Sequence, residues 1–143
     1  MEMDIKGLAI QIVKQSFKDK KDKGGNDYIE HLFRVAEPFE KDEDSYVVAL
    51  LHDLIEDCPE WNKESLSCVF NWWIVNIIQL LTKDEKEDYF VYIDKIKEHD
   101  LARRIKIQDL KDNMDVSRLN DITDKDIERL KKYQKAYKIL KNS

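Results

Sequence analysis

Punctuation is what this chain lacks: it has three glycines and two prolines among 143 residues. Architectures of strands and turns need many such breaks, whereas helices run without them. The same scarcity leaves no glycine-rich phosphate loop, and the pair Gly24 and Gly25 lacks the spacing of either nucleotide-binding fingerprint. The expected fold class is all-α, a compact helical bundle. At this length one domain over residues 1–143 is expected.

Hydrophobic residues make up 42% and are concentrated in runs such as 47–51 and 74–81, which supports a packed core over disorder. Charged residues reach 38%, as expected for a small bundle with a densely charged surface. The net charge of -5 argues against nucleic acid as the main partner. No run reaches the length of a membrane span, and the N-terminus does not read as a signal peptide, so a cytoplasmic protein is expected. Cys58 and Cys68 fit that compartment as reduced thiols, and their separation is not a metal-binding spacing.

Seven helical segments can be read. The first covers residues 4–17. A lysine-rich loop, 18–27, follows, with Asn26 or Asp27 as cap for a second helix carrying YIEHLFRVAEPF. Asp42 or Asp44 caps a third, SYVVALLHDLIED, which ends near Cys58 and Pro59. Asn62 caps a fourth containing FNWWIVNIIQLL, and a fifth covers 86–98. Asp100 caps a sixth, LARRIKIQDLKDNMD. Thr123 opens the last, with Asp126 three residues on, near a capping-box arrangement.

The third segment carries the chemistry. Val47, Val48, Ala49, Leu50, Leu51, Leu54 and Ile55 surround most of its circumference, as in a buried helix, yet His52, Asp53, Glu56 and Asp57 interrupt it. On a continuous helix these four fall within a sector of about 140°. Burying charge without a partner costs on the order of several kcal/mol per ion, and crowded carboxylates add to it. A divalent cation offsets that cost directly. The competing reading is an amphipathic helix whose polar sector faces water.

Two further residues favour the cation. His31 sits among Leu32, Phe33, Val35 and Ala36, and Asp109 shares a helical stripe with Ala102, Ile105, Asn113 and Val116. Two imidazoles and two carboxylates form a mixed nitrogen and oxygen set that suits Mn²⁺, Fe²⁺, Co²⁺, Ni²⁺ or Zn²⁺ better than Ca²⁺.

A His on an early helix, an adjacent His-Asp pair and a distant Asp, here His31, His52, Asp53 and Asp109, resemble the pattern of the HD-domain phosphohydrolase superfamily. The segments NDYIEHLFRVAE, ALLHDLIED, LLTKDE and RIKIQDLKDNMD are most similar to the hydrolase domain of RelA/SpoT-type alarmone enzymes and to small stand-alone alarmone hydrolases. The resemblance spans residues 20–114. It implies an HD-type fold, a Mn²⁺ cofactor held by those four residues, and removal of the 3′-pyrophosphate from guanosine tetra- or pentaphosphate. By the same resemblance Glu56 and Asp57 would position and activate the attacking water, Asn113 would lie near the nucleoside, and Lys20 would stand where the family usually has Arg. Two other departures are Leu32 in place of the Pro that commonly follows the first metal His, and no His in QSFKDKK. The chain is too short to include a synthetase domain.

Lys20, Lys21 and Lys23 would supply positive charge for a phosphate beside the site; the competing reading of that loop is a solvated, flexible segment. Arg103 and Arg104 are expected to pair with acids, His99 to lie at the surface beside a helix cap, and the last helix, with Tyr133 and Tyr137, to be structural. Of Trp72 and Trp73, about 100° apart on a helix, one is expected in the core and one exposed, where it would offer a homodimer contact. A small-molecule nucleotide is the expected partner. A different nucleotide substrate, or a non-catalytic nucleotide-sensing module on the same scaffold, are the alternatives.

Overall fold

The computed structural model describes residues 4–142; residues 1–3, the start of the N-terminal stretch considered above, and residue 143 lie outside the described residues. Nine α-helices are present among the described residues: α1 (Ile5–Ser16), α2 (Tyr28–Ala36), α3 (Glu43–Leu50), α4 (Leu54–Asp57), α5 (Lys63–Ser67), α6 (Trp72–Leu80), α7 (Tyr89–Lys97), α8 (Asp100–Asn113) and α9 (Asp124–Lys141), with 3₁₀ turns at Glu37–Phe39 and Val116–Arg118. The expectation of an all-α fold holds. The expected number of seven does not, because two segments are divided.

The third segment stops after Leu50, turns through Leu51, His52 and Asp53, and resumes as the single turn α4. Cys58 then adopts an extended conformation, as a residue before proline is pushed to do, and ends α4 at Pro59. The fourth segment divides at residues 68–71. Asn62 caps α5 through a capping box with Ser65, and Asn71 caps α6 by accepting from the Ile74 N–H.

Capping differs in detail elsewhere. Asp88 caps α7, so that helix starts later than expected. His99 itself caps α8, its Nδ1 accepting from the Ala102 N–H, which leaves Asp100 as the first helical residue. Asp100 instead accepts from Arg103 and Arg104, the expected acid pairing. Asp27 holds the cap position of α2, but its carboxylate is taken by Lys21. Thr123 and Asp126 form the expected capping box.

The core is centred on α3, whose residues from Ser45 to Leu50 are all buried. α1, α2 and α6 pack around it, α2 leans on α8, and α7, α8 and α9 pack against one another. Leu32, Leu51, Leu54, Ile74, Ile78, Ile93, Ile105 and Leu110 fill the interior. Each such side chain contributes about 2 kcal/mol on leaving water. Both tryptophans of α6 are outside this core, Trp72 73% and Trp73 37% exposed, contrary to the expectation that one would be buried. No helix among the described residues is long and apolar enough to cross a membrane.

The 18–27 loop is ordered by its own backbone. Asp22 accepts from the Gly24 and Asn26 N–H groups, and Gly25 takes the positive φ of 84° that the turn requires. Gly24 lies against the 116–118 turn so closely that a Cβ there would overlap the Arg118 carbonyl oxygen. Two loops are thereby joined at the mouth of the site.

Candidate metal centre and its cavity

Three elements deliver the four expected ligands. His31 comes from the middle of α2, His52 and Asp53 from the turn between α3 and α4, and Asp109 from α8. One donor atom from each lies within 4.8 Å of the others. His31 Nε2 is 2.9 Å and His52 Nε2 3.2 Å from Asp109 Oδ1; Asp53 Oδ2 is 3.1 Å from His52 Nε2 and 3.8 Å from His31 Nε2. The break after Leu50 is what permits this. On an unbroken helix neighbouring residues point about 100° apart, whereas the turn aims both His52 and Asp53 at one spot.

The tautomers fit an ion. His52 Nδ1 lies 2.6 Å from the Ala49 carbonyl, and His31 Nδ1 2.6 Å from Asp112 Oδ2. Both partners can only accept, so each Nδ1 carries a proton, and each Nε2 is turned toward the carboxylates of the site, where it would offer its lone pair to an ion on giving up its own proton. Two inward imidazole nitrogens and two carboxylates are a donor set for a divalent cation.

The carboxylates are further held by side chains that the sequence reading did not single out. Tyr28, one turn before His31, donates to Asp53 Oδ2 at 2.6 Å. Lys106, one turn before Asp109, donates to Asp109 Oδ2 at 2.9 Å. Asn113, one turn after, donates to Asp109 Oδ1 at 3.2 Å, so its amide faces the carboxylate as the stripe predicted. The i±3 and i±4 spacing was the available signal, since such residues share a helix face. Burial disfavours the Asp109 charge, but Lys106 and the two histidines outweigh it and hold its pKa well below the ordinary range. Burial also disfavours protonated His31, yet hydrogen bonds to Asp109 and Asp112 raise its pKa to about 9.

Of these residues His31, Asp53 and Asp109, with Tyr28, Lys106 and Asn113, form the floor of a cavity of about 580 Å³, and His52 is buried outside its lining. Glu56 and Asp57 line it from α4. Burial, reinforced by Asp53, raises the pKa of both. Glu56 is oriented by the Lys83 backbone N–H, 3.0 Å from its Oε1, and Asp57 faces Lys20 at 3.7 Å.

The rim of the cavity carries cations and aromatic rings, interspersed with Asp22, Asp115 and Asp126. Lys20, Lys21 and Lys23 all line the cavity, as do Lys83, Arg118 and Arg129. Lys20 lies over the rings of Phe17 and Tyr28, while the Lys21 ammonium is engaged by Asp27. Tyr89 and Tyr133 also line the cavity, so α9 is part of the site as well as of the scaffold, and the Tyr89 hydroxyl is buried with no hydrogen-bond partner among the described residues.

No family model matches the chain, and no curated protein matches it by sequence. Its fold is shared with the solved structure of a metazoan ortholog of SpoT, a protein that hydrolyses ppGpp and plays a role in starvation responses. The two superpose with a TM-score of 0.77 at 18% identity, over 96% of this chain and 85% of the other. The chain has an HD-type helical fold.

Proposed function

We propose that residues 1–143 form one HD-type domain that acts as a divalent-metal-dependent phosphohydrolase on a phosphorylated nucleotide, with guanosine 3′,5′-bis(diphosphate) as the substrate. The observation that carries this reading is the convergence of His31, His52, Asp53 and Asp109 beside a cavity that Lys20, Lys21, Lys23 and Lys83 also line. A cluster of this kind holds a divalent cation, and the lysines face the phosphates of a bound nucleotide. The cavity volume suits a ligand of nucleotide size. The SpoT ortholog with the same fold hydrolyses ppGpp, which supports that choice of nucleotide.

His31, His52, Asp53 and Asp109 would hold the ion, and Mn²⁺ fits their mixed donor set. Bound there, a divalent cation supplies Lewis acidity at phosphate and makes water a usable nucleophile near neutral pH. Glu56, on the cavity wall and oriented by the Lys83 N–H, accepts the proton of the attacking water. Asp57 orients that water and is itself held toward the cavity by Lys20. The water oxygen joins the phosphorus next to the ribose 3′ oxygen, the bond between them breaks, and GDP and pyrophosphate are the products. Lys20, Lys21 and Lys23 bind the phosphates, and Asn113 lies toward the nucleoside.

The test is incubation of the Mn²⁺-loaded chain with guanosine 3′,5′-bis(diphosphate) beside a panel of other nucleotides, with products separated by chromatography and Asp53→Ala as control. Pyrophosphate and GDP, absent in the control, are the expected result. Metal-dependent cleavage of a different nucleotide alone would replace the substrate assignment. Binding of a guanine nucleotide with no turnover across the panel would overturn the enzymatic reading in favour of a sensing module.

A further inference from the structure

The His31 ring is gripped from both sides by one helix. α8 presents Asp109 to its Nε2 at 2.9 Å and, one turn later, Asp112 to its Nδ1 at 2.6 Å. Asp112 is in turn fixed by two arginines from different elements. Arg34, one turn after His31 on α2, donates from Nε to Oδ1 at 2.7 Å and from Nη2 to Oδ2 at 3.1 Å. Arg118, in the 3₁₀ turn beyond α8, brings Nη2 within 3.3 Å of Asp112 Oδ2 and donates to the Asp112 carbonyl at 2.8 Å. The Asp112 side chain is 12% exposed, so water competes little for its oxygens.

We propose that Asp112 is a positioning residue for the metal centre, its carboxylate, clamped by Arg34 and Arg118, fixing the His31 ring in the orientation and tautomer that turn Nε2 toward the ion. This role exists only if His31 is a ligand, as proposed above. A carboxylate behind a ligating histidine fixes its tautomer and makes the facing nitrogen a better donor. Arg118 is shared with Asp115, 3.1 Å away, so the two arginines balance the two carboxylates and Asp112 accepts the Nδ1–H bond without adding a net negative charge behind the site. Arg118 also carries the carbonyl against which Gly24 is packed, which connects the clamp to the lysine-bearing loop.

A plain ion-pair hub joining α2 to α8 would show the same arginine contacts, and two substitutions separate the two roles. Asp112→Ala removes both the charge and the acceptor for His31. Asp112→Asn removes the charge but leaves an oxygen that can accept from Nδ1–H. Mn²⁺ affinity is measured by calorimetry on each metal-stripped chain, and the His31 Nδ1 proton is followed by NMR in the metal-free state. Circular dichroism verifies folding.

The expected result is a loss of about 10–100-fold in Mn²⁺ affinity for Asp112→Ala. Asp112→Asn is expected to stay within about threefold of the parent and to retain the Nδ1 proton signal, because a neutral acceptor keeps most of a single hydrogen bond. Equal losses in both variants would make Asp112 an ion-pair hub and overturn the positioning role. Parent-like affinity in both would do the same while leaving the metal site intact. If Asp112→Ala does not fold, the Asn variant decides alone: loss of the Nδ1 proton with unchanged affinity overturns the role. A parent chain that takes up no Mn²⁺ would instead overturn the metal reading, and this role with it.

Discussion

The floor and the rim of the cavity are built on opposite physical terms. On the floor, His31 and Asp109 are buried, as is the adjoining His52, and their polar atoms have fixed partners, among them Lys106 on Asp109, while Tyr28 holds Asp53. At the rim the charges sit on long side chains that rest on aromatic rings, as Lys20 does over Phe17 and Tyr28, or pair at the surface, as Lys21 does with Asp27. A floor of that kind cannot adapt without leaving a buried charge unpaired. A rim of that kind can, because exposed pairs are worth little and are screened by salt. The difference divides the labour of the proposed enzyme: fixed geometry where bonds change, tolerant charge where a polyphosphate is received.

The largest expected effect comes from breaking the floor. Asp53→Ala should abolish both Mn²⁺ uptake in calorimetry and turnover, since it removes a ligand and leaves the Tyr28 hydroxyl without its acceptor. Turnover at the parent rate would break the contrast outright. Next, Glu56→Gln should leave Mn²⁺ affinity near that of the parent while lowering kcat by about 10²–10⁴-fold, the range for loss of a general base. A parent-like kcat would remove Glu56 from the chemistry. At the rim, Lys20→Ala should raise KM by about tenfold, the scale of one charge-assisted hydrogen bond. Lys20→Arg should restore it, and added salt should reproduce part of the loss. A fall in kcat with unchanged KM would place Lys20 with Asp57 in the chemistry instead. The smallest change is expected for Lys21→Ala, under about threefold in KM, because its ammonium already has a partner in an exposed pair.

The four converging ligands were legible because their setting was contradictory. A His-Asp doublet inside an apolar run, and an Asp on the apolar stripe of another helix, make sense only if something offsets the buried charge. The break after Leu50 was not legible. ALLHDLIED has no glycine or proline, and its residues favour a continuous helix. The turn is imposed by tertiary structure, which places His52 and Asp53 side by side. Asp112 was hidden for a different reason. As an acid between Lys111 and Asn113 it has the composition of a solvated helix face, and only the approach of α2, bringing His31 and Arg34, shows what it meets. Tyr28 and Lys106 had a usable signal in their one-turn spacing from a ligand. Tyr133 had none, because its place in the cavity depends on how α9 crosses α7 and α8.

The two imidazoles of the site differ in how exposed they are to genetic change. The acceptor behind His31 is a side chain, so a single codon can remove it. The acceptor behind His52 is the carbonyl of Ala49, three residues earlier in the same buried segment. No replacement of the alanine side chain deletes that oxygen, and a change large enough to shift it would first disturb the packing around α3. One half of the histidine pair is thus inherited with the backbone, and the other depends on a residue that mutation can reach.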